Sequence, residues 1–193
     1  ELAGAPALLE LPTDKPRPAT QSFRGATEVF AMPEQVLRRL KAVGQQEHTT
    51  LFMTLMGGFM TLMSRYSGQD DVAIGTPISG RTRSETEGLI GLFLNTVVLR
   101  TRFSADTSFR HLLGQVREKA LGAYGHQDLP FEQLVAEIAT QRTASHSPIF
   151  QVMFILNSED AASQASNVAG LHQVGTGTSK FDLTFYLSEC EDG

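Results

Sequence analysis

The sequence is short of cysteine, of clustered positive charge and of long apolar runs, and each shortage removes a class of function. Its one cysteine, Cys190, can build neither an intramolecular disulfide framework nor a thiolate zinc site, and fits a reducing, intracellular setting. Net charge is −5, pI is near 5.5, and no run of Lys and Arg occurs, so the basic patch that nucleic acid demands is not expected. No stretch of about 18 uninterrupted apolar residues is present, so no membrane span is expected. The first residues lack the charged-then-apolar design of a signal peptide. A cytoplasmic protein is the expectation.

Catalytic signatures are also missing. His48, His111, His126, His146 and His172 form no H-x-x-x-D, H-E-x-x-H or H-x-H pattern, so no metal site is expected. There is no G-x-S-x-G elbow, phosphate loop or G-x-G-x-x-G. His126, two residues before Asp128, is the nearest approach to a general base. Pro130 and Phe131 follow at once, and the segment reads better as a helix start. The carboxylate pairs Asp70/Asp71 and Glu85/Glu87 read as solvated turn residues.

What is present is a chain of 193 residues, 41% hydrophobic and 19% charged, enough for one domain or one large lobe with its own core. It starts at Glu1 without Met and stops just after a strand-like run, so a fragment is the expectation. Residues 1–25, with Pro6, Pro12, Pro16 and Pro18, read as an extended connector rather than a packed element. A short strand is expected at 26–32. Pro33 then opens a helix through Val36, Leu37 and Leu40. Thr49 or Thr50 caps a second helix with the stripe Phe52, Leu55, Met56, Phe59, Leu62 and Met63, read as a buried core helix. Gly57 and Gly58 each cost it about 1 kcal/mol, tolerable where another element approaches closely.

A buried strand is expected at 71–77, a polar turn at 78–81 and a helical turn at 84–87. Residues 88–100 read as a strand covered on both sides, punctuated by Gly88 and Gly91. Period two puts Phe93, Asn95, Val97 and Leu99 on one face and Leu94, Thr96, Val98 and Arg100 on the other. Asp106 or Thr107 caps a third helix along Phe109, Leu112, Leu113, Val116, Ala120 and Tyr124, ended by Gly125. A short amphipathic helix runs through Leu134, Val135 and Ile138, then a polar loop over 139–147. Pro148 starts a strand over 149–157 whose apolar face is Phe150, Val152, Phe154 and Leu156. A Ser/Ala/Asp-rich loop (158–166), a strand at 168–174 and an alternating strand at 180–188 follow, the last with Phe181, Leu183, Phe185 and Leu187 inward. Strands interspersed with helices predict an α/β or α+β architecture.

Four of these stretches carry a resemblance. Residues 90–100 (IGLFLNTVVLR) are similar to I-G-x-F-x-N-T-x-x-x-R, and 126–132 (HQDLPFE) to H-Q/H-D-x-P-F-E. Residues 142–151 (RTASHSPIFQ) are similar to R-D-x-S-R-x-P-L-F-Q, from which Thr143, His146 and Ser147 depart, and 75–81 (GTPISGR) to the strand and loop that precede the Asn motif. In this order the stretches resemble the condensation domains of nonribosomal peptide synthetases, over essentially the whole chain.

The resemblance implies a chloramphenicol-acetyltransferase-like fold of two lobes around a V-shaped cleft, the C-terminal lobe being a mixed sheet packed with helices. The active-site His of the family lies in an H-H-x-x-x-D-G motif of the N-terminal lobe, which this sequence lacks. The chain thus resembles an incomplete C-terminal lobe (26–193) preceded by an interlobe connector (1–25), with no catalytic residue of its own and no activity alone. Implied partners are the N-terminal lobe, donor and acceptor peptidyl carrier proteins and an adjacent adenylation domain. No cofactor would bind directly, since 4′-phosphopantetheine arrives on the carriers. The chemistry is amide formation from two thioesters, which needs positioning and polarity near the developing oxyanion.

Implied tunnel-wall residues are Ser79, Gly80, Arg81, Asn95, Thr96, Gln151 and Asn157. Arg100, His126, Gln127, Asp128, Pro130 and Phe131 are implied to be structural, as are Arg142, Ser145 and Pro148, and His126 and Asp128 are expected to fix the helix start. A different class of function is a docking or scaffold module, without catalysis, that recruits a carrier protein or tailoring enzyme. For Asn95, bonding within the lobe would mean a structural role, and an unpaired amide facing the open side a tunnel role.

Overall fold

Period-two alternation in four short segments sets the architecture. The computed structural model describes residues 1–81, 84–104, 106–138, 143–157 and 176–189. The elements are α1 (Glu34–Gln46), α2 (Leu51–Ser67), β1 (Asp71–Ile78), α3 (Ser84–Glu87), β2 (Asn95–Arg102), α4 (Phe109–Gly125), α5 (Phe131–Ile138), β3 (Val152–Asn157) and β4 (Leu183–Ser188). The strands form one mixed sheet in the order β2-β1-β3-β4. β1 and β2 pair antiparallel over eight residues, from Asp71 opposite Arg102 to Ile78 opposite Asn95. β3 runs parallel to both β1 and β4. The carboxyl ends of β1, β3 and β4 therefore meet the start of β2 at one end of the sheet.

One face carries Val72, Ile74, Leu99, Val152 and Phe154, packed against Met53, Met56, Phe59, Met60 and Met63 of α2 and Leu112, Val116 and Ala120 of α4. Leu183, Phe185 and Leu187 extend that face along β4. Phe59 stacks on Phe185 at 4.7 Å and lies 5.3 Å from Phe154. Burial of a side chain of this size contributes roughly 1.5–3 kcal/mol, so this layer is the main source of stability. The opposite face, Ala73, Val98 and Met153 with Phe150, is covered by Phe131 and Leu134 of α5. Gly57 lets α4 approach α2, for a Cβ there would sit 3.0 Å from Leu113 Cδ2. A Cβ at Gly58 would meet nothing, so only one of the two glycines has a packing reason.

Several sequence expectations change. Residues 88–94 are not strand: β2 starts at Asn95, and Leu89, Ile90, Leu92 and Leu94 lie in an exposed loop. No strand forms at 26–32; only the bridge Arg24–Thr178 lies nearby. The α4 cap is Ser108, whose side chain accepts from His111 N–H, while Thr107 Oγ1 accepts from Ser104 N–H instead. Leu62 is exposed, and Met53 and Met60 take its place in the core. β3 begins three residues late, because Ile149 has φ +70 and breaks the alternation. Phe150 consequently joins the α5 face, stacked on Phe181 at 5.2 Å, rather than the face of Val152 and Phe154. Cys190, His172 and the segments 158–166 and 168–174 lie outside the described residues.

The proline-rich start is mostly exposed, but it is anchored to the lobe at a few points. Leu9 is 5% exposed in the main core, because a proline-set extended segment can still insert a single large side chain. Its polar backbone is paired: Gln69 accepts from Glu10 N–H and donates to Leu8 O, and Arg17 forms a bidentate pair with Asp182. Asp71 is likewise no solvated turn residue. It opens β1 and takes two hydrogen bonds from Arg100, at 2.6 and 2.7 Å.

Candidate functional site

The motif residues divide into hydrogen-bonded staples and a small partly exposed ledge. Asn95 is the central staple. Its Nδ2 donates to Gln127 O at 2.8 Å and Leu129 O at 2.7 Å, while its Oδ1 accepts from Thr96 N–H and Phe131 N–H. The Phe131 N–H begins α5 and has no partner within the helix, so Asn95 caps α5 from another element. Two motif stretches far apart in sequence are thus joined by one amide. Every hydrogen-bonding group of that amide is used within the chain, so Asn95 holds this corner together.

Gln151 does the same at the opposite end of the sheet. It is 2% exposed, accepts from Leu9 N–H at 2.7 Å and donates to Ala7 O and Ser147 O. Both nitrogen hydrogens and the oxygen of this buried amide are engaged inside the chain, where they tie residues 7–9 to the turn before β3. Ser145 and Pro148 shape the turn before it: Ser145 O accepts from Arg17, and Pro148 O accepts from Phe150 N–H. Arg142 lies outside the described residues.

Arg100, 7% exposed, spends its guanidinium on Asp71 and on the carbonyls of Glu1, Ala3 and Gly4. Those hydrogen bonds hold the Asp71 carboxyl below the usual carboxylate range against the opposing effect of burial, with Arg102 helping. His126 and Asp128 are exposed and make no side-chain hydrogen bond among the described residues; Asn95 fixes the helix start in their place. Gln127 takes part through its backbone, its carbonyl accepting from Asn95 and its N–H donating to Tyr124 O, and Pro130 through its carbonyl, which receives Gln133 and Leu134 N–H.

The loop after β1 folds back on the exposed stretch before β2. Arg81 donates to Thr86 O and Gly91 O and lies over the Phe93 ring, 4.4 Å from its centroid. Gly80 has φ +63, and a Cβ there would fall 1.9 Å from Phe93 O. Only glycine fits such a position. Ser79 is exposed beside it, its Oγ accepting from Arg81 N–H.

At the sheet's carboxyl end, on the face opposite α2 and α4, Pro77, Thr96, Ile155, Asn157 and Tyr186 lie side by side through the pairings of the four strands. Asn157 donates from Nδ2 to the Tyr186 phenol oxygen. Tyr186 was legible only as an outward residue of an alternating strand, and nothing in the sequence linked it to Asn157. The ledge thus gathers Thr96 and Asn157 with the 79–81 loop near the same end, and leaves out Gln151. No His–carboxylate ion pair occurs among the described residues, where His146 Nδ1 contacts Ser145 Oγ and Thr143 Oγ1 and His111 contacts Gln115. No group of three His, Cys, Asp or Glu residues able to hold a metal occurs among them either. No helix among them is long and apolar enough to cross a membrane.

This sheet, with its motif-joining asparagine, agrees with the comparisons. The family model described as "Condensation domain" matches residues 1–193, and the chain belongs to that family. It is 48% identical over 199 residues to a linear gramicidin synthase of Brevibacillus parabrevis, covering 100% of this chain and 4% of that protein. Among solved structures, holo-AB3403, a four-domain nonribosomal peptide synthetase, superimposes with TM-score 0.88 at 24% identity, over 97% of this chain and 16% of that one. The X-domain from teicoplanin biosynthesis, solved in complex with OxyB, gives TM-score 0.87 at 28% identity, over 98% of this chain and 41% of that one. The α/β, mixed-sheet fold is thereby that of condensation domains. The chain spans only a small fraction of the synthetase it matches.

Proposed function

We propose that this chain is the C-terminal lobe, with its interlobe connector in residues 1–25, of a condensation domain that forms the amide bond between a donor acyl or peptidyl thioester and an acceptor aminoacyl thioester. The observation that carries it is the Asn95 staple: the four bonds tie two family motifs into one rigid corner beside the ledge. On this reading the ledge and the 79–81 loop form one wall of the substrate tunnel. Thr96 and Asn157 supply polar groups there, while Asn95 and Gln151 hold its shape. Donor and acceptor peptidyl carrier proteins bring 4′-phosphopantetheine arms, and an adenylation domain loads the acceptor side. The rate gain asked of this wall is alignment of amine and thioester, the term for which rigid positioning matters most.

The described residues hold no acid–base relay, so the lobe alone should make no amide. The test combines this chain with an N-terminal lobe bearing H-H-x-x-x-D-G and with loaded carrier proteins, and follows the amide product by mass spectrometry. Product from the combination and none from the chain alone is expected. Turnover by the chain alone, or none by the folded combination, overturns the proposal.

A second reading is a docking module without catalysis, favoured by the likeness to an X-domain solved together with OxyB. Stable capture of a carrier protein or tailoring enzyme by the combined lobes, without amide formation, would select it.

A further inference from the structure

The connection between β1 and β2 leaves the sheet at Ile78 and re-enters it at Asn95, two residues that face each other in the register. One step inside that pair lie Pro77 and Thr96 of the ledge. Leu89, Ile90, Leu92 and Leu94 of the connection are exposed and belong to no strand, so neither a core nor a ladder sets their course. Several contacts instead gather the connection at Arg81. The guanidinium donates to Thr86 O in α3 and to Gly91 O at 3.4 Å, and its Cζ lies 4.4 Å from the centroid of the Phe93 ring. A planar cation can do all of this at once, its edge forking to carbonyls while its face lies on a ring. Beside the stacked pair, Gly80 at φ +63 brings its backbone against Phe93 O, where no Cβ fits. Leu89 N–H donates to the same Thr86 O that Arg81 holds.

We propose that Arg81 is a positioning residue: it pins residues 84–94 to the end of β1, so that the connection keeps one course beside Thr96, and it does so through its planar fork and stacking face rather than through its charge. The role in the reaction rests on the proposed condensation site, whose wall includes the 79–81 loop. A guanidinium bonded to two carbonyls and laid on a ring is held by its own chain, so its effect on the reaction passes through the loop it fixes. Lysine carries the same charge without the fork or the stacking face, so Arg81→Lys behaves like Arg81→Ala. Phe93→Leu removes the ring, keeps the cation, and moves the same readouts in the same direction.

Two measurements test this. The first is the rate of chymotrypsin cleavage after Leu89 and Leu92 in this chain, which reports how often the stretch leaves its course. Loss of one or two net hydrogen bonds predicts cleavage roughly 3–30-fold faster in Arg81→Ala and Arg81→Lys, at a temperature where each variant is folded by its melting curve. The second is amide formation by the combined lobes. Both Arg81 variants should lower kcat/KM by roughly 10–100-fold, the cost of a misplaced positioning element. The double variant of Arg81→Ala with Phe93→Leu should fall no further than Arg81→Ala, because both changes dismantle one device. Rescue by Arg81→Lys, or a loss in Arg81→Ala with Phe93→Leu unaffected, would mean a charge contact and overturns the proposal. Unchanged cleavage in Arg81→Ala, or faster cleavage with unchanged kcat/KM, overturns it too. Absence of amide from the wild-type combination would remove the proposed function while the cleavage rates still decide the pin, so the two failures separate.

Discussion

Asn95→Asp isolates what the asparagine amide contributes to the corner. The substitution is isosteric and keeps the oxygen that accepts from Thr96 N–H and Phe131 N–H. It deletes both donations, to Gln127 O and Leu129 O, and sets a carboxylate oxygen against two carbonyl oxygens that now stand 2.7–2.8 Å from the side chain. Two net hydrogen bonds are worth about 1–3 kcal/mol. Against this, the charge strengthens the two remaining bonds and interacts favourably with the start of α5, by about 0.3–1 kcal/mol. The net loss is therefore about 1–2 kcal/mol, or a fall in Tm of about 2–8 °C for a domain of this size. Asn95→Ala removes all four bonds and should cost more, about 2–4 kcal/mol. Hydrogen exchange separates the two variants further: the Phe131 amide stays protected in Asn95→Asp and loses protection in Asn95→Ala. Equal stability of wild type and Asn95→Ala, or an unchanged Phe131 exchange rate in Asn95→Ala, would refute a structural asparagine.

Three other perturbations test the remaining staples. Asp71→Asn breaks the pair with Arg100 and should lower stability by about 3 kcal/mol at pH 7, the lower end for a largely buried ion pair. Because the folded carboxyl titrates below its unfolded value, its stabilisation is complete above about pH 4 and is lost as pH falls through the folded value, so denaturation curves of wild type and variant should converge in acid. Gln151→Leu leaves Leu9 N–H, Ala7 O and Ser147 O without their side-chain partner, costs about 2–4 kcal/mol, and should expose residues 7–9 to limited proteolysis; a variant as resistant as wild type would show the Gln151 staple to be idle. Gly75→Ala places a methyl 2.3 Å from the Phe150 ring, which is already packed between Phe131 and Phe181. Overpacking of that kind costs about 1–3 kcal/mol or more, readable as a lower urea midpoint with an unchanged m-value.

The sequence by itself determined the helices, the period-two strands, the motif order and so the family. Those depend on local patterns: Thr50 capping α2, the Val72/Ile74 and Phe185/Leu187 alternations, and the spacing from Asn95 to Phe131. Their faces were legible wherever the strand was regular. They failed at Phe150, where Ile149 adopts a positive φ that no composition reveals, and at residues 88–94, whose β-prone side chains lie in a loop folded onto Arg81. Only the tertiary structure decided which polar residues are staples and which are available. Asn95, Gln151 and Asn157 are amides in similar apolar settings along the chain. What differs is what distant segments bring within hydrogen-bond reach: three backbone groups for Asn95 beside its own neighbour Thr96 N–H, three backbone groups for Gln151, and for Asn157 a single tyrosine hydroxyl. A hydrogen-bonding group satisfied inside the fold cannot also hold a ligand, and that accounting exists only after distant segments have met.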